Sequence, residues 1–243
     1  MTDGRKMHSQ LSLLGLGIRG LRQLTIETRD AIRRCRVVFH IGENHAALKR
    51  LNPNTVDLHK LYWTGEKRGI VYARIVKRVL SELELGGEIA LVTYGHPFVF
   101  DDVNAMLAKH CRRRKIPCRV LPAVSCLDTL SIDLQIDYGD GLQVYEATAF
   151  VENEHLIDPA VHLLLLQAGE FNHEETSDTI KHKVGRYRPL VRYLRRFYPS
   201  AHRVVVVYSD AGDGAVRRST RLSALDKLRH VMFPGTTLYV PPK

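Results

Sequence analysis

The stretch VTYGHPFVFDDV, residues 92–103, decides the fold. It continues the apolar run EIALV of residues 88–92, which predicts a strand ending near Tyr94. A strand without polar alternation is expected to be buried on both faces, as the strands of parallel sheets are. Gly95 and Pro97 then favour a turn, and a helix is predicted over residues 102–114. This strand, turn and helix together indicate an α/β fold.

Outward from this stretch, strand and helix patterns alternate. Strands are predicted at residues 11–17, 36–41, 88–95, 117–122, 142–147, 160–171, 203–209 and 236–241. The segment 56–62, VDLHKLY, reads as a strand or an extended loop. We expect a doubly wound parallel sheet in a chain of two α/β domains. The predicted organisation is a disordered N-terminus (1–10), a first domain (11–152) and a second domain (153–243).

Helical periodicity is clearest over residues 69–86. The apolar residues at helical spacing there are Ile70, Ala73, Val76, Val79, Leu80 and Leu83. A second helix is predicted over residues 24–35, with Thr25 as its N-cap. Further helices are predicted at residues 126–134, 189–198 and 222–231.

Composition narrows the possible compartments and partners. The four cysteines show no metal-binding spacing, the first residues lack the apolar region of a signal peptide, and no apolar run reaches membrane-span length. These features predict a cytoplasmic protein. The net charge is +10, and no Asp or Glu lies between Lys181 and Ser209. The basic stretch 181–203 suits RNA, an acidic peptide or a solvated surface, and the residues alone leave these open.

Several local motifs have structural interpretations. GLGIRG, residues 15–20, matches a dinucleotide-binding pattern, but the helix begins only near Leu24, so a tight turn is favoured. Arg68 and Tyr72 are four residues apart on one helix face, which taken alone indicates an aromatic ring packed on an arginine stem. His96 has no neighbour at ligand spacing, and no metal site is predicted.

Taken together, the motifs resemble the tetrapyrrole methylase superfamily, the class III S-adenosylmethionine-dependent methyltransferases. The resemblance covers residues 11–242. It rests on a Gly-rich turn before Leu24 and Thr25, on Gly95-His96-Pro97 and on the turn at residues 122–125, PAVS. The Pro-Gly-Asp usual in the first turn of the family is absent, and Ala123 replaces a glycine of the last.

Within the superfamily, the chain is most similar to the borosin peptide α-N-methyltransferases. The shared features are Tyr-Gly-His-Pro at residues 94–97, LNPN at 51–54, the Tyr62, Arg68 and Tyr72 set, HLLLLQ at 162–167 and the pair Pro241-Pro242. Because the sequence stops at Lys243, directly after the last predicted strand, it looks like the split type, which methylates a separate precursor peptide. The resemblance also implies a homodimer, alone or in complex with the precursor, and makes a nucleic-acid partner less expected.

The resemblance implies that S-adenosylmethionine binds in a cleft between the domains, at the carboxyl ends of the first domain's strands. The implied cofactor contacts are Tyr94, His96, Pro97, Phe98, Val99, Phe100, Val124, Ser125, Cys126, Ala147, Gln167, Gly235, Thr236 and Thr237.

The implied catalytic residues are Tyr62, Arg68, Tyr72 and Tyr94. An amide nitrogen is a poor nucleophile because its lone pair is delocalised, so its proton must be removed. A tyrosine serves as base only when its pKa of about 10 is lowered, and a nearby guanidinium has that effect. Our hypothesis makes Tyr72 the base and Arg68 its electrostatic partner, while Tyr62 and Tyr94 donate hydrogen bonds to the amide oxygen. Which tyrosine takes the proton stays open at this point.

Two alternatives also stay open. A different methyltransferase of the superfamily would act on a tetrapyrrole or on ribosomal RNA, and the basic stretch suits RNA. A catalytically silent module would bind a peptide without modifying it.

Overall fold

A computed structural model describes residues 9–42, 44–177, 183–210 and 214–243. The chain forms two compact units, one of Met1–Asp128 with Glu175–Ser177, and one of Thr129–Glu174 with Asp178–Lys243. The domain boundary expected near residue 153 stays a prediction, although the compact units divide at Asp128. Of the predicted disordered N-terminus, residues 1–8 lie outside the described residues, whereas Gln10 already belongs to the first strand.

The first unit alternates strands and helices as predicted. Its elements are β1 (Gln10–Gly15), α1 (Ile26–Arg34), β2 (Val37–His40), α2 (His45–Leu51), β3 (Thr55–Asp57), α3 (His59–Tyr62), α4 (Arg68–Leu83), β4 (Glu88–Thr93), α5 (Asp102–Arg114), β5 (Cys118–Leu121) and α6 (Cys126–Leu134), which runs on into the second unit. All strands are parallel, in the order β3-β2-β4-β1-β5. The α/β architecture and the doubly wound parallel sheet are confirmed for this unit.

Helices cover both faces of this sheet. On one face, α4 and α5 pack against a core that includes Leu13 and Leu91. On the other face, α1 and α2 pack against a core that includes Leu14 and Val92. Adjacent strand residues thus point to opposite cores, which explains why β1 and β4 read as continuous apolar runs.

The buried face of α4 matches the predicted one only in part, since Val79 and Leu83 are buried as expected but Ile70 and Ala73 are exposed. Its buried residues are Val71, Ile75, Val79 and Leu83. Ile70, which we assigned to the apolar face, is 53% exposed. The helix is apolar over a wide arc, so two neighbouring faces satisfy the helical spacing, and packing against the sheet selects one of them.

The strand prediction for residues 56–62 holds only for the first two of them, and residues 59–62 are helical, which neither interpretation included. The segment starts as the end of the short edge strand β3 and, after Leu58, becomes the single helical turn α3. The backbone N–H of His59 donates a hydrogen bond to Asp57 Oδ1, 2.8 Å away, and this bond turns the chain from strand to helix.

The second unit contains a mixed sheet. Its further elements are β6 (Leu142–Glu146), α7 (Ala147–Glu152), β7 (His162–Leu166), α8 (Arg188–Leu194), β8 (Arg203–Tyr208), β9 (Val216–Arg221), a 3₁₀ helix (Leu222–Val231) and β10 (Thr237–Val240). The strand order is β6-β7-β10-β8-β9. Among the strands that the structure describes here, β6 and β7 pair in parallel and the other pairs are antiparallel.

Two of these strands depart from the sequence interpretation. Strand β6, expected in the first domain, pairs with β7 in the second sheet. Strand β9 was not predicted, because its sequence VRRSTR has no apolar face. It lies exposed at the edge of the sheet, where it pairs with β8.

Among the described residues, none of the helices has both the length and the apolarity needed to cross a bilayer.

The two faces of α4 can be distinguished by stability. Replacing Ile75, which is fully buried, with alanine should lower the free energy of unfolding by about 2–5 kcal/mol through lost burial and a cavity. The matched variant Ile70→Ala in the same helix should change it by no more than about 0.5 kcal/mol. Urea unfolding monitored by circular dichroism measures both, and equal losses would contradict the assigned face.

Candidate active site

Two glycine turns join the carboxyl ends of β1 and β4. The backbone N–H of Gly17 donates to the Gly95 carbonyl at 3.2 Å, and that of Gly95 donates to the Gly17 carbonyl at 3.1 Å. Both residues have positive φ angles, +76° and +69°, which glycine adopts without steric cost. The pair therefore continues the contact between the strands beyond their parallel ladder.

A third segment meets the turns at Gly15. A Cβ atom on Gly15 would lie 2.6 Å from Ala123 Cβ and 2.9 Å from Pro97 Cδ, and would also collide with the Gly95 carbonyl oxygen. Only glycine fits there, because three backbone segments converge on that position. The absence of a side chain at residue 15 thus brings the ends of β1, β4 and β5 together.

This convergence lies where ligands bind in open α/β sheets. The chain leaves β1 toward α1 on one face of the sheet, and it leaves the neighbouring β4 toward α5 on the opposite face. Adjacent strands whose connections diverge in this way open a crevice at their carboxyl ends, which is the usual ligand position. The predicted residues of the 94–100 turn lie at this edge.

The turn after β4 exposes three aromatic rings. Tyr94 is 57% exposed, Phe98 47% and Phe100 42%. Pro97 is buried between them, and Val99 is half-buried. Exposed aromatic rings grouped on one turn are typical of a binding surface rather than of ordinary solvent contact.

His96, one of the implied cofactor contacts, supports the turn, and its contact with the cofactor stays a prediction. Its Nδ1 atom accepts a hydrogen bond from the backbone N–H of Phe98 at 3.0 Å. The His96 carbonyl in turn accepts from the N–H of Val99 at 3.2 Å. The histidine therefore shapes the backbone that carries Phe98 and Phe100.

A buried polar network connects this turn to α5. Asp101 caps the helix by accepting from the backbone N–H of Asn104 at 2.9 Å. The Asn104 amide group donates to Thr93 Oγ1 at 3.1 Å and to Asp101 Oδ2 at 2.9 Å. Burial raises the pKa of Asp101, because removal from water disfavours its charged form.

The 122–125 turn ends in a helix cap. The Ser125 N–H and hydroxyl donate to Asp128 Oδ2 at 2.6 and 2.7 Å, while Ser125 Oγ accepts from the N–H of Leu127 at 3.2 Å. This is a capping box at the start of α6. Burial alone would raise the pKa of Asp128, but the Ser125 hydrogen bonds and the nearby His96 hold it below its usual range. Ser125 thus has a structural role, and its cofactor contact, like those of Val124 and Cys126, stays a prediction.

Tyr62 and Tyr72 form an aromatic pair. Their ring centroids are 6.1 Å apart, with planes inclined by 27°. Tyr62 ends α3, Arg68 begins α4, and Tyr72 lies one helical turn further on. Because α4 runs from β3 toward the start of β4, its first turn lies at the carboxyl edge of the parallel sheet. The structure therefore places this set and Tyr94 along the same edge.

A distant segment holds the loop between Tyr62 and Arg68. The N–H of Gly65 donates to the Thr176 carbonyl, and the N–H of Thr176 donates to the Glu66 carbonyl, both at 2.9 Å. Glu66 also forms a bidentate ion pair with Arg74, at 2.7 and 2.9 Å. Sequence reasoning missed Thr176, since nothing in its local pattern signals a partner more than a hundred positions away.

The predicted residues of the second unit lie at one edge of its sheet. Glu146 pairs in register with Leu166, so Ala147 and Gln167 follow neighbouring strands. Gln167 has a φ of +54°. The N–H of Gly169 donates to the Thr236 carbonyl at 3.4 Å, which places the 235–237 segment beside them.

The side chains of this edge are largely interior. Thr236 is fully buried, with its hydroxyl accepting from the N–H of Phe233 at 3.2 Å, and Thr237 is 3% exposed. Gly235 has a φ of +86°. A cofactor at this edge would therefore meet backbone groups rather than the threonine side chains.

The profile of the tetrapyrrole (corrin/porphyrin) methylases matches residues 10–213, and the chain belongs to this family. Among solved structures, it resembles a uroporphyrin-III C-methyltransferase from Thermus thermophilus, with a TM-score of 0.66, 19% identity and coverage of 96% of this chain and 94% of the other. A cobalt precorrin-4 methyltransferase gives a TM-score of 0.67 at 12% identity, covering 99% and 98%. These likenesses show the two-domain α/β fold.

Sequence relatives point to one branch of the family. The chain is 28% identical, over 98% of its length, to a methyltransferase/ribosomally synthesized cyclic peptide gymnopeptides precursor of Gymnopus fusipes. It is 26% identical, over 100% of its length, to the corresponding omphalotin A precursor of Omphalotus olearius. The chain spans 59% and 60% of the lengths of these relatives. A methyltransferase/ribosomally synthesized type III borosin cyclic peptide precursor of Anomoporia bombycina is 26% identical over 96% of this chain and 28% of its own length, which confirms the resemblance to borosin methyltransferases.

The close approach at Gly15 can be tested directly. Gly15→Ala should destabilise the protein by at least about 1–3 kcal/mol, as overpacking against backbone does, and should weaken ligand binding at the strand ends. Gly69→Ala is the matched control, because nothing lies within 4 Å of a Cβ there and alanine is the better helix former. Thermal unfolding of both variants measures the difference. An unchanged unfolding temperature in Gly15→Ala would contradict the convergence of three segments at this position.

Proposed function

We propose that this methyltransferase transfers methyl groups from S-adenosylmethionine to backbone amide nitrogens of a precursor peptide. The observation that carries the proposal is the stacked Tyr62–Tyr72 pair, with Arg68 one helical turn from Tyr72, at the edge of the sheet that also presents Tyr94. The names of the relatives, which join a methyltransferase to a cyclic peptide precursor, support a peptide substrate.

The residues at the strand ends fit the cofactor. S-adenosylmethionine supplies a methyl group already activated by a sulfonium. Phe98 and Phe100 offer exposed aromatic surface for an adenine ring, and the turns at Gly17 and Gly95 bring backbone groups to the crevice without side chains in the way. In the second unit, backbone groups at Ala147, Gln167 and residues 235–237 are the proposed contacts.

The protein's own chemical task is to remove the amide proton. We assign Tyr72 as the base and Arg68 as the positive charge that favours its phenolate form. The stacked ring of Tyr62 and the packing of α4 restrict Tyr72 to few orientations, so that proton transfer needs little rearrangement.

As the proton leaves, negative charge develops on the amide oxygen. Hydroxyl groups of Tyr62 and Tyr94 would donate hydrogen bonds to it, as an oxyanion hole does. Tyr94 is suited to contact a bound chain because more than half of its surface is exposed. The supporting segment at Thr176 keeps the loop before Arg68 in place.

The base assignment predicts a large loss of activity in Tyr72→Phe. The variant keeps the stacked ring but lacks the hydroxyl, so methyl transfer should fall by about 10²–10⁴-fold, the usual contribution of a general base. Single-turnover methylation followed by mass spectrometry measures the loss. The control is Tyr198→Phe, since the Tyr198 hydroxyl is buried with no hydrogen-bond partner among the described residues. Near-normal turnover in Tyr72→Phe would overturn the assignment.

The arrangement of substrate and enzyme is decided in the same assay. We propose a separate precursor and a homodimeric enzyme. A separate peptide with an apolar C-terminal segment, added to the enzyme, should gain one methyl group at a time. Methylation of ribosomal RNA or of a tetrapyrrole instead would favour another activity of the family, and binding without methylation would favour a silent module.

A basic groove in the second unit supports an acidic partner. The groove has a volume of about 890 Å³ and lies between α8 and the 3₁₀ helix at Leu222–Val231. Its cationic lining residues are Arg188, Arg192, Arg195, Arg196, Lys227 and Arg229. Among the described lining residues only Asp226 is acidic, and it accepts hydrogen bonds from the N–H groups of Gly185 and Tyr187, at 2.8 and 3.3 Å. Four of these cationic residues belong to the basic stretch 181–203, whereas Lys227 and Arg229 come from the 3₁₀ helix.

The lining of this groove favours an acidic peptide segment over RNA. Arginine guanidinium groups bind carboxylates in pairs of hydrogen bonds. Proteins that bind single-stranded RNA usually also have exposed aromatic rings on which bases stack, and none of the described residues that line the groove is aromatic. We therefore propose that an acidic segment of the precursor occupies it.

Charge reversal tests this docking role. Arg192→Glu combined with Arg195→Glu should raise the KM for an acidic precursor about tenfold, equivalent to the loss of about 1.4 kcal/mol, without changing cofactor affinity. Lys109→Glu, on the exposed surface of α5 in the first unit, is the control. Steady-state kinetics at two salt concentrations measure the effect, and an unchanged KM would exclude the groove as the docking site.

A further inference from the structure

Three potential metal ligands meet at the carboxyl ends of β2 and β3. His40 ends β2, His45 begins α2 and Asp57 ends β3. His40 Nε2 lies 2.9 Å from His45 Nδ1 and 3.9 Å from Asp57 Oδ1. All three ligand atoms lie within 4.8 Å of one another. Sequence spacing gave no sign of this cluster, because each residue comes from a different element.

These distances are close to those of a tetrahedral zinc site. Zinc binds imidazole nitrogen and carboxylate oxygen at about 2.0–2.2 Å, so two ligands on one ion lie about 3.4 Å apart. The two distances from His40 bracket this value, and each differs from it by about half an ångström. Side-chain rotations that bring the three atoms to this spacing would place them on one ion.

We propose that His40, His45 and Asp57 bind one Zn²⁺ ion, with the fourth position open to water or to another ligand. Two imidazole nitrogens and one carboxylate oxygen suit zinc better than Mg²⁺ or Ca²⁺, which prefer oxygen ligands alone. The site lies outside the methyl-transfer chemistry proposed above.

The surroundings of the cluster suit such an ion. His40 is almost fully buried, which fixes one ligand within the sheet, whereas the Asp57 side chain is 39% exposed and leaves a path from solvent. Asp57 Oδ1 also accepts from the N–H of His59 at 2.8 Å. Hydrogen bonds of this kind orient ligating carboxylates in metalloproteins.

Metal binding would connect three elements of the first unit. It would join β2, the start of α2 and the turn between β3 and α3. Since α3 consists of His59–Tyr62, the ion would fix the start of the turn that ends at Tyr62. We therefore expect zinc to stabilise this region, independently of the substrate that the enzyme methylates.

The experiment uses the full chain, free of affinity tags and stripped of metal with a chelator. Isothermal titration with ZnCl₂ should show one site, and CoCl₂ should produce the visible absorption of a four-coordinate ion. Zinc at about a hundred times its dissociation constant should raise the unfolding temperature by about 5–10 °C. His45→Ala and Asp57→Asn should each weaken zinc binding by at least tenfold, and both avoid the buried His40.

Two control variants separate this site from other side chains that could bind zinc. His230→Ala replaces an exposed histidine of the second unit and should leave binding unchanged. Cys118→Ser removes a thiol that lies beside the Cys111 thiol, and so tests whether these two cysteines contribute to zinc binding. Loss of the site in Cys118→Ser, or full affinity in His45→Ala, would overturn the proposal, as would the absence of zinc binding in the unaltered protein. Because these readouts need no peptide, they are independent of the proposed methyl transfer.

Discussion

The structure of the first unit depends on a close backbone contact between two turns. Gly17 and Gly95 exchange hydrogen bonds, and this is possible only because Gly15 carries no side chain between the Gly95 carbonyl, Pro97 and Ala123. The contact brings together the ends of three parallel strands whose connections diverge to opposite faces. Without it, the crevice at this edge and the exposed rings of Tyr94 and Phe98 would not share one surface.

The aromatic pair depends on a different constraint. Tyr62 and Tyr72 lie on α3 and α4, two helices that are close together in the sequence. The loop between them is held by backbone hydrogen bonds to Thr176. Backbone hydrogen bonds to a remote segment restrict the loop more than its own sequence does, because Gly65 is free to adopt many conformations. The position of Arg68 therefore depends on the folded unit, and a substitution near Thr176 would shift Arg68 without contacting it.

Local signals predicted much of the fold. Helix α5 begins and ends where the sequence placed it, because Asp101 caps its start and a basic last turn precedes Lys115, which takes a left-handed conformation. Thr25 caps α1 by accepting from the N–H of Thr28. The interpretation failed where local chemistry is ambiguous: the face of α4 and the polar edge strand β9 both depend on neighbours in space.

The sequence by itself determined the order of strands and helices, the glycine and proline turns after β4, and the family to which these motifs belong. These follow from steric preferences, hydrophobic periodicity and capping, which act over a few residues. Tertiary structure alone decided that β6 joins the second sheet, that Thr176 supports the loop before Arg68, and that His40, His45 and Asp57 meet. Such contacts join residues far apart along the chain, and only strand order and register bring them within bonding distance.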